Sequence, residues 1–590
     1  MRTSEPGTMA ERAERAAGPA VSDGVEGDAA ATARRVVLAD PLSDEGLAVL
    51  RESPGLEVVD LSAEERASLM HSLGGASALI VRSRTRVDAA LLDAAEALEV
   101  VGRAGVGVDN IDVPAATRRG IAVLNAPGGN TRSTAELTWG LILAAARKIA
   151  AADRSIRAGR WERKALRGVQ LHGKTLGVVG AGRIGSAVGA RARAFGMRVL
   201  VHDPYLTPER AAELGLERTE LDALLAESDV VTLHVPLTEV TRGMIGTAEI
   251  ERMKAGAFLV NAARGGLVEQ RALAEALGSG ELAGAALDVY EMEPLPPEDP
   301  LRSAPNLVMT PHLGAATGEA QREVAVEIAA AVRDALLLGD YRTAVNAPYV
   351  EPGERRLLDP VMELGRRLGT LLAALTDGPC GKLEVRYGGS VRNVLRPLAA
   401  AALEGYLRPT VDRHLNVVNA LSVASERGIQ VGRVRLGEPP DYSNYVEVAA
   451  AFGSGEAEGG EASRSRAPRS GDPSSSPART PEGEAVVGGA LLGEGQHPRI
   501  VRIGEFHVDT VPDGVLLLVR NRDVPGVIGQ VGTGLGAGKI NIAEYHQARR
   551  EAGGDALGVI RVDGRVPAEV LAVLRALAAV QEVRQVEFRR

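Results

Sequence analysis

The segment Gly180-Ala181-Gly182-Arg183-Ile184-Gly185 constrains this chain more than any other stretch. It follows an apolar run, Thr175 to Val179, that reads as a buried strand, and it precedes a helical stretch from Ser186 to Phe195. Eighteen positions beyond the last glycine, Asp203 closes a second apolar run, Val199-Leu200-Val201. Strand, glycine turn, helix, strand and acidic residue are the parts of a dinucleotide-binding βαβ unit. Gly180 permits the tight turn, Gly182 lets the backbone approach a pyrophosphate, and Gly185 lets the helix pack on the strand. The free N–H groups at the helix start, at Arg183 and Ile184, then face the phosphates. Asp203 is suited to accept hydrogen bonds from a ribose diol and to repel a 2′-phosphate, so the pattern predicts NAD over NADP.

A chain of 590 residues is too long for one core, and three or four domains are expected. The net charge of −9 supplies no positive field for nucleic acid. Cys380 is the single cysteine, which rules out an intrachain disulfide and fits a reducing cytoplasm. No apolar stretch is long enough to span a membrane, and no metal site is expected. Residues 1–33 show no hydrophobic periodicity and read as a disordered extension.

From Arg34 the chain alternates short apolar runs with helical stretches, the signature of an α/β fold. Strands are expected at Val36–Ala39, Leu56–Val59, Ala78–Val81, Val100–Gly102 and Ile121–Leu124, with a helix over Asp88–Ala97. A long helix is expected from about Ser133 to Ala158. The glycine unit continues with strands at Asp229–Leu233, Ala257–Val260, Ala285–Leu287 and Leu307–Met309, and a helix over Gly318–Leu338 leads back out of it. The expected units are residues 34–132 with 318–345, then 133–317, then a mixed α+β region over 350–510. Residues 453–482, dominated by Gly, Ser, Pro and charge, read as a disordered insertion in the last of these. Residues 513–590 read strand-helix-strand-strand-helix-strand.

Three polar groups follow strands of the glycine unit: Arg264 after Val260, Glu293 after Leu287, and His312 after Met309. Oxidising an α-hydroxy acid needs a carboxylate anchor, a base for the hydroxyl proton and a hydride acceptor. Arginine offers a planar, always charged fork. Histidine takes a proton near neutral pH, and a neighbouring carboxylate orients its ring and stabilises the cation. With the glycine motif, these segments resemble the D-isomer-specific 2-hydroxyacid dehydrogenases over about residues 36–345. The resemblance implies two Rossmann-like domains, a flavodoxin-like substrate domain and an NAD-binding domain. It implies Arg264, Glu293 and His312 as catalytic residues. Asp288 falls on the aspartate that holds the nicotinamide carboxamide, and Val235, Ala262, His312 and Gly314 fall among the cofactor contacts.

Within that family the chain most resembles long-form members that oxidise D-3-phosphoglycerate for serine synthesis. These add an intervening domain and a C-terminal ACT domain. Ile80–Ser83 and Val101–Asn110 look like their substrate loops. Arg82 and Arg103 would meet the phosphate, and the backbone of Gly105, Val106 and Gly107 the carboxylate; Asn130 is a further substrate or hinge candidate. Asn521-Arg522-Asp523-Val524-Pro525-Gly526 resembles the first ACT loop, and Lys539-Ile540-Asn541-Ile542 the segment leading into its second strand. Asn521, Asp523 and Asn541 would then form an effector site for L-serine between subunits of a homo-oligomer, a dimer or tetramer. The alternatives are another 2-hydroxy acid, a 2-oxoglutarate reductase activity, or an NAD-sensing regulator built on the same fold.

Overall fold

The computed structural model describes residues 33–348, 355–412, 414–437, 442, 444–452, 478, 484–493 and 496–588. Two parallel sheets carry the first half of the chain. The first orders Leu56–Asp60, Arg34–Leu38, Ala78–Val81, Val100–Arg103 and Ala122–Asn125. The second orders Leu307–Met309, Gly284–Leu287, Phe258–Asn261, Val230–Leu233, Thr175–Val179, Arg198–His202 and Glu217–Arg218. The central strands are buried along their whole length, as expected of a parallel sheet covered by helices on both faces. Strand order in the second sheet reverses between Thr175–Val179 and Val230–Leu233, and a ligand crevice opens at such a switch point, beyond the carboxyl ends.

The return helix Gly318–Leu338 packs Val324, Ile328, Ala329 and Val332 into the core of the first sheet. Its cap, Thr317, accepts a hydrogen bond from the Ala320 N–H through Oγ1 at 3.1 Å, a contact whose loss costs about 1 kcal/mol. Glu327 on the same helix accepts from the N–H groups of Gly128 and Gly129 at 3.0 and 2.9 Å, which fixes the connection between the two sheets.

The helix expected over Ser133–Ala158 is two helices, Thr131–Ala146 and Ile149–Arg157, separated by Lys148 at φ +53°. The Ala146 carbonyl accepts from the Val169 N–H at 2.8 Å, so a returning loop takes the bond that a continuous helix would need. The helix expected over Asp88–Ala97 is shorter, Ala89–Asp93, with Asp88 capping its start.

Beyond residue 355 a six-stranded mixed sheet is followed by a four-stranded antiparallel sheet ordered Ile542–Arg549, Asp555–Val562, Gly514–Arg522, Val580–Phe588. Helix Arg355–Leu375 packs against both sheets, and Leu364, Leu368, Leu516, Leu518 and Val559 share one core. The opposite face of the four-stranded sheet carries helices Val527–Ala537 and Ala568–Arg575. The second half is tied to the first sheet through Asn416, whose Nδ2 donates to the Gly120 carbonyl at 2.8 Å, and through Val418, which joins that sheet's core.

The expected extension 1–33 lies outside the described residues apart from Ala33, and so does the expected insertion 453–482 apart from Ala478. Ala478 departs from the reading of that segment as structureless: it is buried, and its carbonyl accepts from the Val486 N–H at 2.8 Å. No helix among the described residues is long and apolar enough to cross a membrane, and no group of metal-ligating side chains is present among them.

Candidate active site

The glycine turn has the geometry its spacing predicts. Gly180 adopts φ +94°, and a Cβ there would lie 2.6 Å from the His234 carbonyl oxygen. A Cβ at Gly185 would overlap the Gly180 carbonyl, whereas one at Gly182 would meet nothing within 4 Å. The turn is closed where helix meets strand and open at the position that a pyrophosphate must approach. Helix Arg183–Ala194 begins at Gly182 with no side-chain cap, so its first N–H groups are left to a phosphate. Asp203 accepts from the Ala181 N–H through Oδ2 at 2.8 Å and from the Tyr205 N–H through Oδ1 at 2.9 Å. Each carboxylate oxygen keeps a lone pair for a ribose hydroxyl. The residues present therefore fit an NAD adenosine and pyrophosphate. Val235 packs beside Gly180, and Ala262 is buried after the strand Phe258–Asn261.

Arg264, Glu293 and His312 leave the second sheet at adjacent strand ends. His312 Nδ1 lies 2.7 Å from Glu293 Oε2, which leaves Nε2 free for a substrate hydroxyl. His312 adopts φ +56°, a left-handed conformation that few non-glycine residues take. That loop is held by Asp288, which is fully buried. Asp288 Oδ1 accepts from Thr310 Oγ1 at 2.6 Å and the Leu313 N–H at 2.7 Å, and Oδ2 accepts from the Gly314 N–H at 2.9 Å. The Gly314 carbonyl in turn accepts from Ser133 and Thr134 at 2.8 and 3.0 Å. Burial pushes the Glu293 carboxyl up. Hydrogen bonds from His312 and the Tyr290 N–H, with the fields of His312 and Arg264, outweigh that and hold it below the usual carboxylate range.

Arg264 is placed by Asn261, whose Nδ2 donates to the Arg264 carbonyl at 2.8 Å and whose Oδ1 accepts from the Ala263 N–H at 3.0 Å. A Cβ at Gly265 would overlap the Tyr290 backbone, so glycine is what lets this loop lie against the Glu293 loop. Across the cleft, a Cβ at Gly107 would overlap the Arg264 guanidinium. Arg103 Nε is buried without a partner. Burial, then the charge of Arg264 and that of Arg82, push the Arg103 guanidinium down to about 10. A buried Nε without a partner, beside two further guanidiniums, is suited to an anion. The Arg82 N–H donates to buried Asp40 at 2.6 Å, and Asn110 Nδ2 donates to the Arg82 carbonyl at 2.7 Å. Val106 O accepts from Asn125 Nδ2 at 2.6 Å, and the Gly105 N–H donates to the Arg103 carbonyl at 2.8 Å. Asn130 stands at the start of helix Thr131–Ala146 without a capping side-chain bond, its Oδ1 buried and unpartnered.

Residues 139–314 match the family D-isomer specific 2-hydroxyacid dehydrogenase, NAD binding domain, and residues 357–469 match the D-3-phosphoglycerate dehydrogenase intervening domain. D-3-phosphoglycerate dehydrogenase of Archaeoglobus fulgidus is 39% identical over 94% of this chain and 100% of its own length. This chain belongs to the D-3-phosphoglycerate dehydrogenase family. Members of the family from Synechocystis and Bacillus subtilis are each 36% identical over 94% of this chain, covering 95% and 99% of their own lengths.

Sequence reasoning passed over several residues of this family member's site. Asp40 and Asn110 shape the Arg82 loop, Thr310 ties Asp288 to the histidine loop, and Asp109 pairs with Arg264 at 3.0 Å. His234 follows the strand Val230–Leu233, with Nε2 3.0 Å from Thr232 Oγ1, and burial pushes its imidazole down to about 4. Asp109 and Asn110 lie inside the Val101–Asn110 loop, and the loop's acidic end was the available signal.

Asn521, Asp523 and Asn541 do not form a cluster within one chain. Asn521 pairs with Ala556, while Ile542, next to Asn541, pairs with Val562 at the other end of the same strand. Six residues of strand separate those ends, about 20 Å. Asn521 is buried and bonded to the Arg522 carbonyl and Gln547, Asp523 pairs with Arg549 at 3.2 Å, and Asn541 donates to Asp563 at 2.6 Å.

Proposed function

We propose that this chain oxidises D-3-phosphoglycerate to 3-phosphohydroxypyruvate with NAD, the first step of phosphorylated serine synthesis. The observation that carries the reading is the His312–Glu293 pair, on the same sheet as Arg264 and opposite Arg103, whose Nε is buried without a partner. NAD, when bound, supplies the hydride acceptor. His312 takes the hydroxyl proton at Nε2, and Glu293 at Nδ1 orients the ring and stabilises the imidazolium. Arg264, with the backbone of Gly105, Val106 and Gly107, holds the substrate carboxylate. Arg82 and Arg103 hold the phosphate, which a neutral 2-hydroxy acid would not require. Gly180, Gly182, Arg183, Ile184, Gly185 and Asp203 hold the adenosine and pyrophosphate. Val235, Ala262, Asp288 and Gly314 line the nicotinamide end, and Asn130 acts at the hinge or on the substrate.

We further infer a homo-oligomer, dimer or tetramer, working in the cytoplasm, where a protein with one cysteine meets no oxidising demand. L-serine would bind between two C-terminal domains, with Asn521 and Asp523 from one chain and Asn541 from another. The opposite placement of these residues in one sheet supports a shared site over a local one.

The deciding measurement is NADH formation by the purified chain with D-3-phosphoglycerate, lactate, glycerate and 2-hydroxyglutarate in parallel. The expected result is a kcat/KM for phosphoglycerate at least about tenfold above the unphosphorylated acids, a conservative value for one charged contact. Equal rates with glycerate would overturn the assignment of Arg82 and Arg103.

A further inference from the structure

The Arg264–Asp109 ion pair joins loops from different sheets: Arg264 follows Phe258–Asn261, and Asp109 lies beyond Val100–Arg103. Arg264 Nε donates to Asp109 Oδ2 at 3.0 Å, and Nη1 donates to the Ala263 carbonyl at 2.6 Å. A Cβ at Gly107 would overlap Arg264 and lie 2.7 Å from Asp109 Oδ2, so the glycine leaves room where the two charges meet. The fields of two acids, Asp109 and Asp40, reach the neighbouring Arg103. Asp40 is committed elsewhere: its oxygens accept from the Arg82 and Thr85 N–H groups, Thr85 Oγ1 and Arg84 Nε. Among the described residues, Arg264 is the hydrogen-bonded ion-pair partner of the Asp109 side chain, which is 64% exposed while that of Arg264 is 25% exposed. The acid can swing into water while the arginine stays in place.

We propose that Asp109 is an exchangeable counter-ion of Arg264, seated on its fork while the site is empty and displaced when a substrate carboxylate arrives. The proposal rests on the reading of Arg264 as the carboxylate anchor. Like-charged guanidiniums repel, and a tethered carboxylate lowers that repulsion without filling the site. It competes with the incoming anion and takes the seat again when product leaves. Asp109 is therefore a positioning residue whose removal strengthens anion binding, the reverse of what loss of a simple structural contact does.

The test uses the full chain with NADH bound and oxalate as probe, a planar carboxylate carrying a second oxygen donor. Calorimetry should show Asp109→Asn binding oxalate about two- to fivefold tighter than wild type, the range of a partly exposed ion pair. KM for phosphoglycerate should fall in parallel, with kcat not raised. In an Arg264→Gln background, Asp109→Asn should change nothing. Asp109→Glu, which keeps the competing charge, should bind oxalate as wild type does, and Asp109→Ser replaces Asp109→Asn if the latter fails to fold. Oxalate binding that is unchanged or weaker in the neutral variants overturns the proposal, as does tighter binding in Asp109→Glu. Wild-type protein that binds oxalate but does not turn over phosphoglycerate would overturn the proposed function and leave this test intact.

Discussion

The second parallel sheet and the C-terminal four-stranded sheet place the polar residues beside their strands in opposite ways. In the parallel sheet, Arg264, Glu293 and His312 all follow the exit of a strand, and parallel strands send every exit to one edge. Convergence there is a property of topology, and it needs no long-range information. In the C-terminal sheet, Asn521 lies at the end of the strand Gly514–Arg522 and Asp523 just beyond it, but Asn541 precedes the start of the next, Ile542–Arg549. A helix between two strands of like direction carries the chain back along the sheet, so exit and start lie at opposite ends. Residues flanking a helix in sequence are there separated by a full strand length.

If convergence at one edge makes the catalytic site, single substitutions there should have large effects. The largest is expected for His312→Ala, a fall in kcat of at least about 10²-fold with NADH binding retained, checked by steady-state rates and NADH fluorescence titration. Gly265→Ala follows. The new methyl overlaps the Tyr290 backbone, so the loops bearing Arg264 and Glu293 must separate. A cost of about 1–3 kcal/mol in stability is expected, together with loss of kcat/KM. Near-normal turnover in both variants would break the argument that this edge is the site.

A smaller effect sharpens the same point through pH. Glu293 is held below its usual range in the folded chain. Its contribution to the histidine loop is therefore complete above the ordinary glutamate value, about 4.3, and is lost as pH falls through the lowered folded value. Wild type should exceed Glu293→Gln in stability near neutral pH, and the gap should close on acidification. Urea titrations at several pH values would show it. A gap that widens toward acid would contradict the sign.

The limits of most strands in the parallel sheets were legible to within a residue, because fully buried strands between turn glycines leave an uninterrupted apolar run. Thr175–Val179, Ala78–Val81 and the helix Gly318–Leu338 coincide with their expected ranges. The break at Lys148 was not legible, because it depends on Val169 taking the Ala146 carbonyl from a distant position in the chain. Nor was the burial of Ala478, a small residue in a segment whose composition argues against any core. Within the candidate site, Arg264, Glu293 and His312 stood out by type and position. Those that hold them, such as Asp40, Thr310 and Asp109, act through loops brought together only by the fold.

The smallest effect on basal turnover, and the most discriminating for the comparison, is expected at the C-terminal sheet. Asp523→Ala and Asn541→Ala each lie far along the chain from His312 and should leave turnover within about twofold of wild type, as surface substitutions usually do. Each alone should abolish inhibition by L-serine if the effector site is shared between chains. The strand register adds a stronger requirement. Because Asp523 and Asn541 sit at opposite ends of one sheet, a shared site takes one residue from each of two chains. A mixed oligomer of Asp523→Ala and Asn541→Ala chains then contains one junction with both residues intact and one with neither. Co-expression of the two variants under separate tags, followed by tandem purification, should therefore recover part of the serine response that neither homo-oligomer shows. A site confined to one chain is damaged in every protomer of that mixture and recovers nothing, so an inert mixture beside a serine-sensitive wild type would place the effector elsewhere and leave the dehydrogenase reading untouched.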